Sequence, residues 1–220
     1  WVEPWGAPLR AMHWIAALAI LVLIVTGFYI GRPYFMTTGA PPQYLMGYIR
    51  LIHYVAAGVC VMTGLVRLYW LFAGNQFERL PALFPVRKRD WVNLVTQVKY
   101  YLMIHPERAP HYIGHNPLQQ LSYTTTYVVS IVVMFTGFAM YGQAAPGGFF
   151  YTITQPPTLA VGGIQVVRLV HHLCVWWFII FPIMHIYLVI RKEVTERGGG
   201  LSGIINGGHY IRADKQYVDE

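Results

Sequence analysis

Charged side chains are scarce in this chain: Asp, Glu, Lys and Arg make up 11% of its 220 residues, against roughly 25% in soluble domains. With 55% hydrophobic residues and a positive mean hydropathy, that shortage points to a lipid bilayer. Cysteine is nearly missing as well. Cys60 and Cys174 stand far apart, each inside an apolar run, and no CxxC occurs. Zinc ribbons, covalent haem attachment and a disulfide framework are thereby excluded, and both cysteines are expected as buried helix residues. Acidic residues are the rarer sign, 9 against 16 basic ones for a net charge of +7. The basic residues gather in two loops and a tail rather than in a basic-aromatic stripe. That is a pattern of membrane topology and excludes a nucleic-acid surface.

What the chain has instead is long apolar runs. A span needs about 20 mostly apolar residues, and four stretches qualify: roughly Leu9–Ile30, Tyr48–Ala73, Leu118–Tyr141 and Val166–Ile190. The expected fold is an all-α membrane bundle of four transmembrane helices, forming one domain over 1–220. Trp1 is not a methionine, so residues before it are expected. The first run lacks a small-residue cleavage site and reads as a retained helix rather than a signal peptide. Between spans 2 and 3, Asp90 is placed to cap a helix with Trp91, Leu94, Val95, Val98, Tyr101 and Leu102 at helical spacing, an amphipathic segment expected to lie on the membrane surface.

Orientation follows from the basic residues. The 2–3 loop holds Arg79, Arg87, Lys88, Arg89, Lys99 and Arg108, and the tail adds Arg191, Lys192, Arg197, Arg212 and Lys215. The 1–2 connection has Arg32 and Arg50, and the 3–4 connection only Arg168. Both termini and the 2–3 loop are therefore expected in the cytoplasm of a bacterial inner-membrane protein. The outer loops are rich in Pro and Gly, including Pro41, Pro42, Pro146, Pro156 and Pro157. The segment Gln143–Gln165 carries no Lys or Arg and is expected to offer exposed Phe149, Phe150 and Tyr151 to a partner.

Ionisable groups inside spans point to function by default. His13, His53, His171, His172 and His185 lie there. His171 and His185 are 14 residues apart, within about 40° of four full turns and about 21 Å along one helix face. Depth pairs His53 with His171 near the outer surface and His13 with His185 near the inner one. Two opposed imidazole pairs suit two six-coordinate haem irons; copper or zinc would want more ligands, and no carboxylate or cysteine is near to supply them. His172 points about 100° away from His171, although an exchange of roles between these neighbours stays open. Arg10, Arg50 and Arg168 each precede a histidine of this set by three residues, and Arg67 sits deeper in span 2. Two readings stand for these arginines: pairing with haem propionates, or marking helix ends and snorkelling. Gly27 and Gly31 form a GxxxG that serves close helix contact or ordinary packing. Thr124, Thr125, Thr126 and Ser130 are expected to bond within or between helices.

Met12-His13-Trp14, the run Met46-Gly47-Tyr48-Ile49-Arg50-Leu51-Ile52-His53, Ile113-Gly114-His115-Asn116-Pro117, and His185-Ile186-Tyr187 with Arg191 and Glu193 give the chain a specific likeness. It resembles the cytochrome b subunit of membrane-bound nickel–iron hydrogenases over nearly its whole length. The family's four haem ligands fall on His13, His53, His171 and His185. The resemblance implies two haem b groups and electron transfer from the iron–sulfur small subunit of a periplasmic hydrogenase dimer to a membrane quinone, menaquinone or ubiquinone. The nickel–iron large subunit would activate H2, since this chain has no iron–sulfur or nickel ligands. The cytochrome subunit of formate dehydrogenase shares the 14-residue histidine spacing but is less similar in these strings. It supplies the alternative partner, and a haem-free anchor with packing histidines supplies a third reading.

Quinone reduction needs a polar group and a proton route at the membrane edge. Gly114, His115 and Asn116 are the expected quinone site: His115 titrates near neutrality, Asn116 donates hydrogen bonds, and Pro117 fixes the start of span 3. The competing reading makes Asn116 a helix cap and His115 a solvated side chain.

Overall fold

The computed structural model describes residues 1–34, 44–85, 88–104, 110–196, 200–208, 210–211 and 216–218. Pro41, Pro42, Arg87, Arg108, Arg197, Arg212 and Lys215, used above to read topology, lie outside the described residues. Eight helices are found among the described residues and no strand: α1 (Ala7–Gly31), α2 (Leu45–Ala73), α3 (Leu80–Leu83), α4 (Lys88–Tyr101), α5 (Pro117–Gly142), α6 (Phe149–Ala160), α7 (Ile164–Glu196) and α8 (Gly200–Asn206). Four of them, α1, α2, α5 and α7, are long and apolar enough to cross a membrane. The four expected spans fall inside these helices. Within the most apolar window of each, only 6% to 17% of residues are buried; a water-soluble bundle would hide such surface, so these faces are built to meet lipid.

The chain forms two compact units, and each of the four long helices contributes to both. One comprises Ala11–Arg67 and Ile131–Phe181. Its buried positions are mostly small or hydroxylated: Ala19, Thr26, Ala56, Thr136, Ala139, Thr154 and Thr158. Small side chains let helix backbones approach where no hydrophobic force drives helix association. Cys60 and Cys174 lie on α2 and α7 as expected, but both are half-exposed rather than buried, in keeping with the lipid-facing character of these helices.

The other unit comprises Trp1–Arg10, Leu68–Ser130 and Pro182–Glu220, and its interior is polar. Glu78, almost fully buried, accepts hydrogen bonds from the Gly6 amide at 2.6 Å, Trp70 Nε1 at 2.8 Å and the Asn75 amide at 3.3 Å. Gly6 stands at the N-terminus of α1, where a carboxylate meets unpaired amides and the positive end of the helix dipole. A Cβ at Gly6 would stand 3.2 Å from that carboxylate, and one at Gly74 2.9 Å from Glu78 Cβ. Three arginines serve helix C-termini, where carbonyls lack partners. Arg79 Nε donates to the Gly74 carbonyl just past α2 at 2.7 Å. Arg10 donates to the Ile205 carbonyl in α8. Arg191 donates to the carbonyls of Tyr100 and Tyr101 in α4 and lies over both rings.

Asp90 sits inside the first turn of α4 rather than at its cap, so it acts through the helix dipole. It is buried together with Gln97, which donates to the Pro110 carbonyl at 2.8 Å. Trp91, Val95, Val98 and Leu102 are exposed. Polar side chains inward and an apolar stripe outward suit a helix lying in the membrane interface. The segment 143–165, expected as a loop, contains α6, whose Thr154 and Thr158 face inward. Phe149 and Phe150 are exposed as expected, Phe150 while also stacking on Phe138 with ring centroids 4.9 Å apart; Tyr151 is half-buried.

Candidate haem site

His53 and His171 share the unit that comprises Ala11–Arg67 and Ile131–Phe181, and each is held by a neighbouring span in the same way. His53 on α2 pairs through Nδ1 with Thr26 Oγ1 of α1 at 2.8 Å. His171 on α7 pairs through Nδ1 with Thr136 Oγ1 of α5 at 2.9 Å. In both cases the next residue is a glycine facing the ring: a Cβ at Gly27 would stand 3.4 Å from His53 Cε1, and one at Gly137 3.4 Å from His171 Cε1. The seats are Thr26-Gly27-Phe28 and Thr136-Gly137-Phe138, the same tripeptide on two helices.

The tautomers are assigned from the hydrogen-bond network. A hydroxyl has one hydrogen and two lone pairs. Thr26 Oγ1 lies 2.6 Å from the Val22 carbonyl, and Thr136 Oγ1 lies 2.8 Å from the Val132 carbonyl. A carbonyl only accepts, so each threonine sends its hydrogen back along its own helix and accepts from Nδ1–H of the histidine. Each imidazole thus carries its proton on Nδ1 and leaves the Nε2 lone pair unprotonated, the state a metal-bound histidine needs. This donor set fits haem iron.

His172 has a different setting. Its Nδ1 donates to the Arg168 carbonyl at 2.8 Å, and its Nε2 would lie 2.9 Å from a Cβ at Gly31. The two glycines of the GxxxG therefore receive two imidazoles, His53 at Gly27 and His172 at Gly31. His13 on α1 and His185 on α7 are half-buried, like His53 and His171, and His13 lies edge-on to Trp14 at 5.1 Å. Among the described residues, no three of His, Cys, Asp and Glu converge as a metal cluster.

Of the arginines, Arg50 and Arg168 are exposed one turn before His53 and His171, and Arg67 is half-buried in α2. Arg168 reaches Gln165 at 3.4 Å. Arg10 is directed to α8, as described above. Thr124, Thr125, Thr126 and Ser130 bond to carbonyls of their own helix, at 2.7 to 2.9 Å.

At the start of α5, Asn116 and Gln119 exchange backbone-to-side-chain bonds, each at 3.0 Å, a reciprocal cap with Pro117 at the first helical position. Asn116 Nδ2 also donates to Tyr101 Oη at 3.2 Å. His115 is buried rather than solvated, between Trp5 at 4.6 Å and Tyr123 at 4.7 Å. Gly114 is buried too. A small cleft beside Asn116 is lined by Tyr101, His111, Tyr112 and Lys192. The threonine seats and Glu78 were missed in the sequence; the repeated Thr-Gly-Phe is the signal that would have found the seats.

Comparison with known proteins agrees with this chemistry. A family described as prokaryotic cytochrome b561 matches residues 4–207. A probable Ni/Fe-hydrogenase B-type cytochrome subunit of Azotobacter vinelandii is 39% identical, over 97% of this chain and 90% of its own length. The protein of the same name from Cupriavidus necator is 38% identical, over 91% and 84%. A probable Ni/Fe-hydrogenase 1 B-type cytochrome subunit of Escherichia coli is 33% identical, over 91% and 87%. With four helices long and apolar enough to cross a membrane and the family match over residues 4–207, this chain belongs to the prokaryotic cytochrome b561 family of multi-pass, b-type haem electron-transfer proteins.

Proposed function

We propose that the chain is a single di-haem cytochrome b domain in a bacterial inner membrane, carrying electrons from the iron–sulfur small subunit of a periplasmic nickel–iron hydrogenase to a membrane quinone. The haem part rests on one observation, the two imidazoles each held at Nδ1 by a threonine hydroxyl of a neighbouring span. The hydrogenase part rests on the names of relatives that align over more than nine-tenths of the chain. Haem supplies one-electron chemistry at its iron. His53 and His171 would hold the outer group, and His13 and His185, by the depth of their positions along the spans, the inner one. Arg50, Arg67, Arg168 and Arg10 are the cations for propionates; Arg10 keeps free donors after its bond to Ile205, because a guanidinium has five.

Gly114, His115 and Asn116 are proposed to border the quinone site. The cleft supports Asn116 alone, with Tyr101, His111 and Lys192 as further polar groups lining it; Gly114 and His115 are buried beside Asn116 in sequence and do not line it. Menaquinone and ubiquinone both offer oxygens to such polar groups.

The deciding experiment isolates the protein in mild detergent. A dithionite-reduced spectrum with a b-type α band, co-purification of both hydrogenase subunits, and H2-dependent quinone reduction are expected. A spectrum without haem would leave a membrane anchor, and co-purification of a formate dehydrogenase would replace the partner.

A further inference from the structure

The two threonine seats carry a consequence for redox chemistry. Thr26 and Thr136 sit on different helices, in the same tripeptide, each with its hydroxyl hydrogen committed to the carbonyl four residues back. Each hydroxyl oxygen is thereby locked as an acceptor. Thr26 and Thr136 are themselves nearly fully buried, so water does not compete for the bond. The glycine that follows each threonine leaves room for the ring to lie against the helix, where a Cβ would stand 3.4 Å from Cε1.

We propose that Thr26 and Thr136 are positioning residues for the outer haem, fixing the tautomer, orientation and donor strength of His53 and His171. This rests on the reading of those two histidines as haem ligands. A ligand whose Nδ1–H meets an acceptor donates more electron density to the metal. More donation favours the ferric form and holds the potential down. Because His53 and His171 meet the same kind of acceptor, the two threonines would act in the same direction on the haem those histidines would hold. The other haem is the internal reference.

The test uses the intact complex in detergent, with haem content measured by pyridine haemochrome, midpoint potentials by redox titration and ligand-field signature by low-temperature EPR. Thr26→Val and Thr136→Val remove the acceptor at nearly constant volume; Thr26→Ser and Thr136→Ser keep it. Each valine variant is expected to shift the outer haem's ferrous–ferric equilibrium roughly tenfold toward ferrous, a rise of about 59 mV for one electron. The serine variants should titrate as the wild type, and the inner haem should be unmoved throughout. Valine variants that lose one haem while the serine variants keep both also support the role. Unchanged potentials and EPR in haem-replete valine variants would overturn it, as would serine variants that fail along with the valine ones, since packing rather than the hydroxyl would then be at stake. If the wild-type protein holds no haem, the ligand reading itself falls, a result separate from any of these.

Discussion

At the scale of single residues, buried polar groups decide most of what this chain does. Replacing His53 or His171 by Ala should remove the outer haem and replacing His13 or His185 the inner one, each leaving about half of the haem measured in the wild type, because an iron with one axial imidazole removed is poorly held. The depth pairing makes a sharper statement: the double variant His53→Ala/His171→Ala should retain one haem, and His53→Ala/His185→Ala neither. Equal haem content in the two doubles would break the pairing. Glu78 makes a prediction of another kind. It is nearly inaccessible and accepts three hydrogen bonds, so Glu78→Ala leaves buried donors unsatisfied at roughly 1–3 kcal/mol each. Glu78→Gln keeps one acceptor oxygen and should lose less. Thermal unfolding in detergent, followed by near-UV circular dichroism, should rank wild type above Gln above Ala. Both residue classes differ in how far the sequence reveals them. Spacing singles out the histidines because imidazoles are rare in lipid, whereas Glu78 lies in a polar stretch where carboxylates are ordinary, and only its three-dimensional contacts set it apart.

At the scale of elements, α5 begins where two roles meet. Asn116 caps it, and Asn116→Ala should cost about 1 kcal/mol of stability for that reason alone. If the asparagine also serves the quinone, H2-to-quinone turnover should fall while haem content and H2-to-dye turnover stay unchanged. Loss of stability with quinone turnover intact would leave the cap as its whole role. The element α6 concerns the partner. Its surface carries no Lys or Arg and exposes Phe149, Ile153 and Leu159, which fits an interface with the hydrogenase. Photo-crosslinkers placed at Phe149 and Ile153 should capture the small subunit; crosslinks confined to α4 would contradict both the surface and the orientation. Span limits were legible in the sequence because a bilayer imposes a length on each apolar run. The helix α6 was not, since Pro156 and Pro157 read as loop residues, yet both lie within it, backed by threonines that bond to their own helix, Thr152 to Gly148 and Thr154 to Phe150. Asp90 was displaced by the earlier start of α4 at Lys88, an error of the size that helix ends allow.

At the scale of the whole molecule, the fold class and the four spans follow from composition and run length, while the division into a unit with a small-residue interior and a unit with a polar one does not. Periodicity reports which faces are apolar, and in lipid the apolar face is outside. The small-residue unit therefore has little to gain by closing. Its long helices meet largely through alanines, glycines, two hydroxyl–imidazole bonds and ring contacts such as Phe28–Trp176 and Tyr54–Tyr141, a smaller apolar burial than the one that drives a water-soluble bundle together. On the reading of His53 and His171 as haem ligands, biogenesis should have an order: each span enters the bilayer as a helix of its own, and the bundle tightens once haem joins His53 to His171. A cell starved of haem precursor should accumulate this chain fully inserted yet loosely associated, open to membrane proteases, and able to recover when haem returns without new protein synthesis.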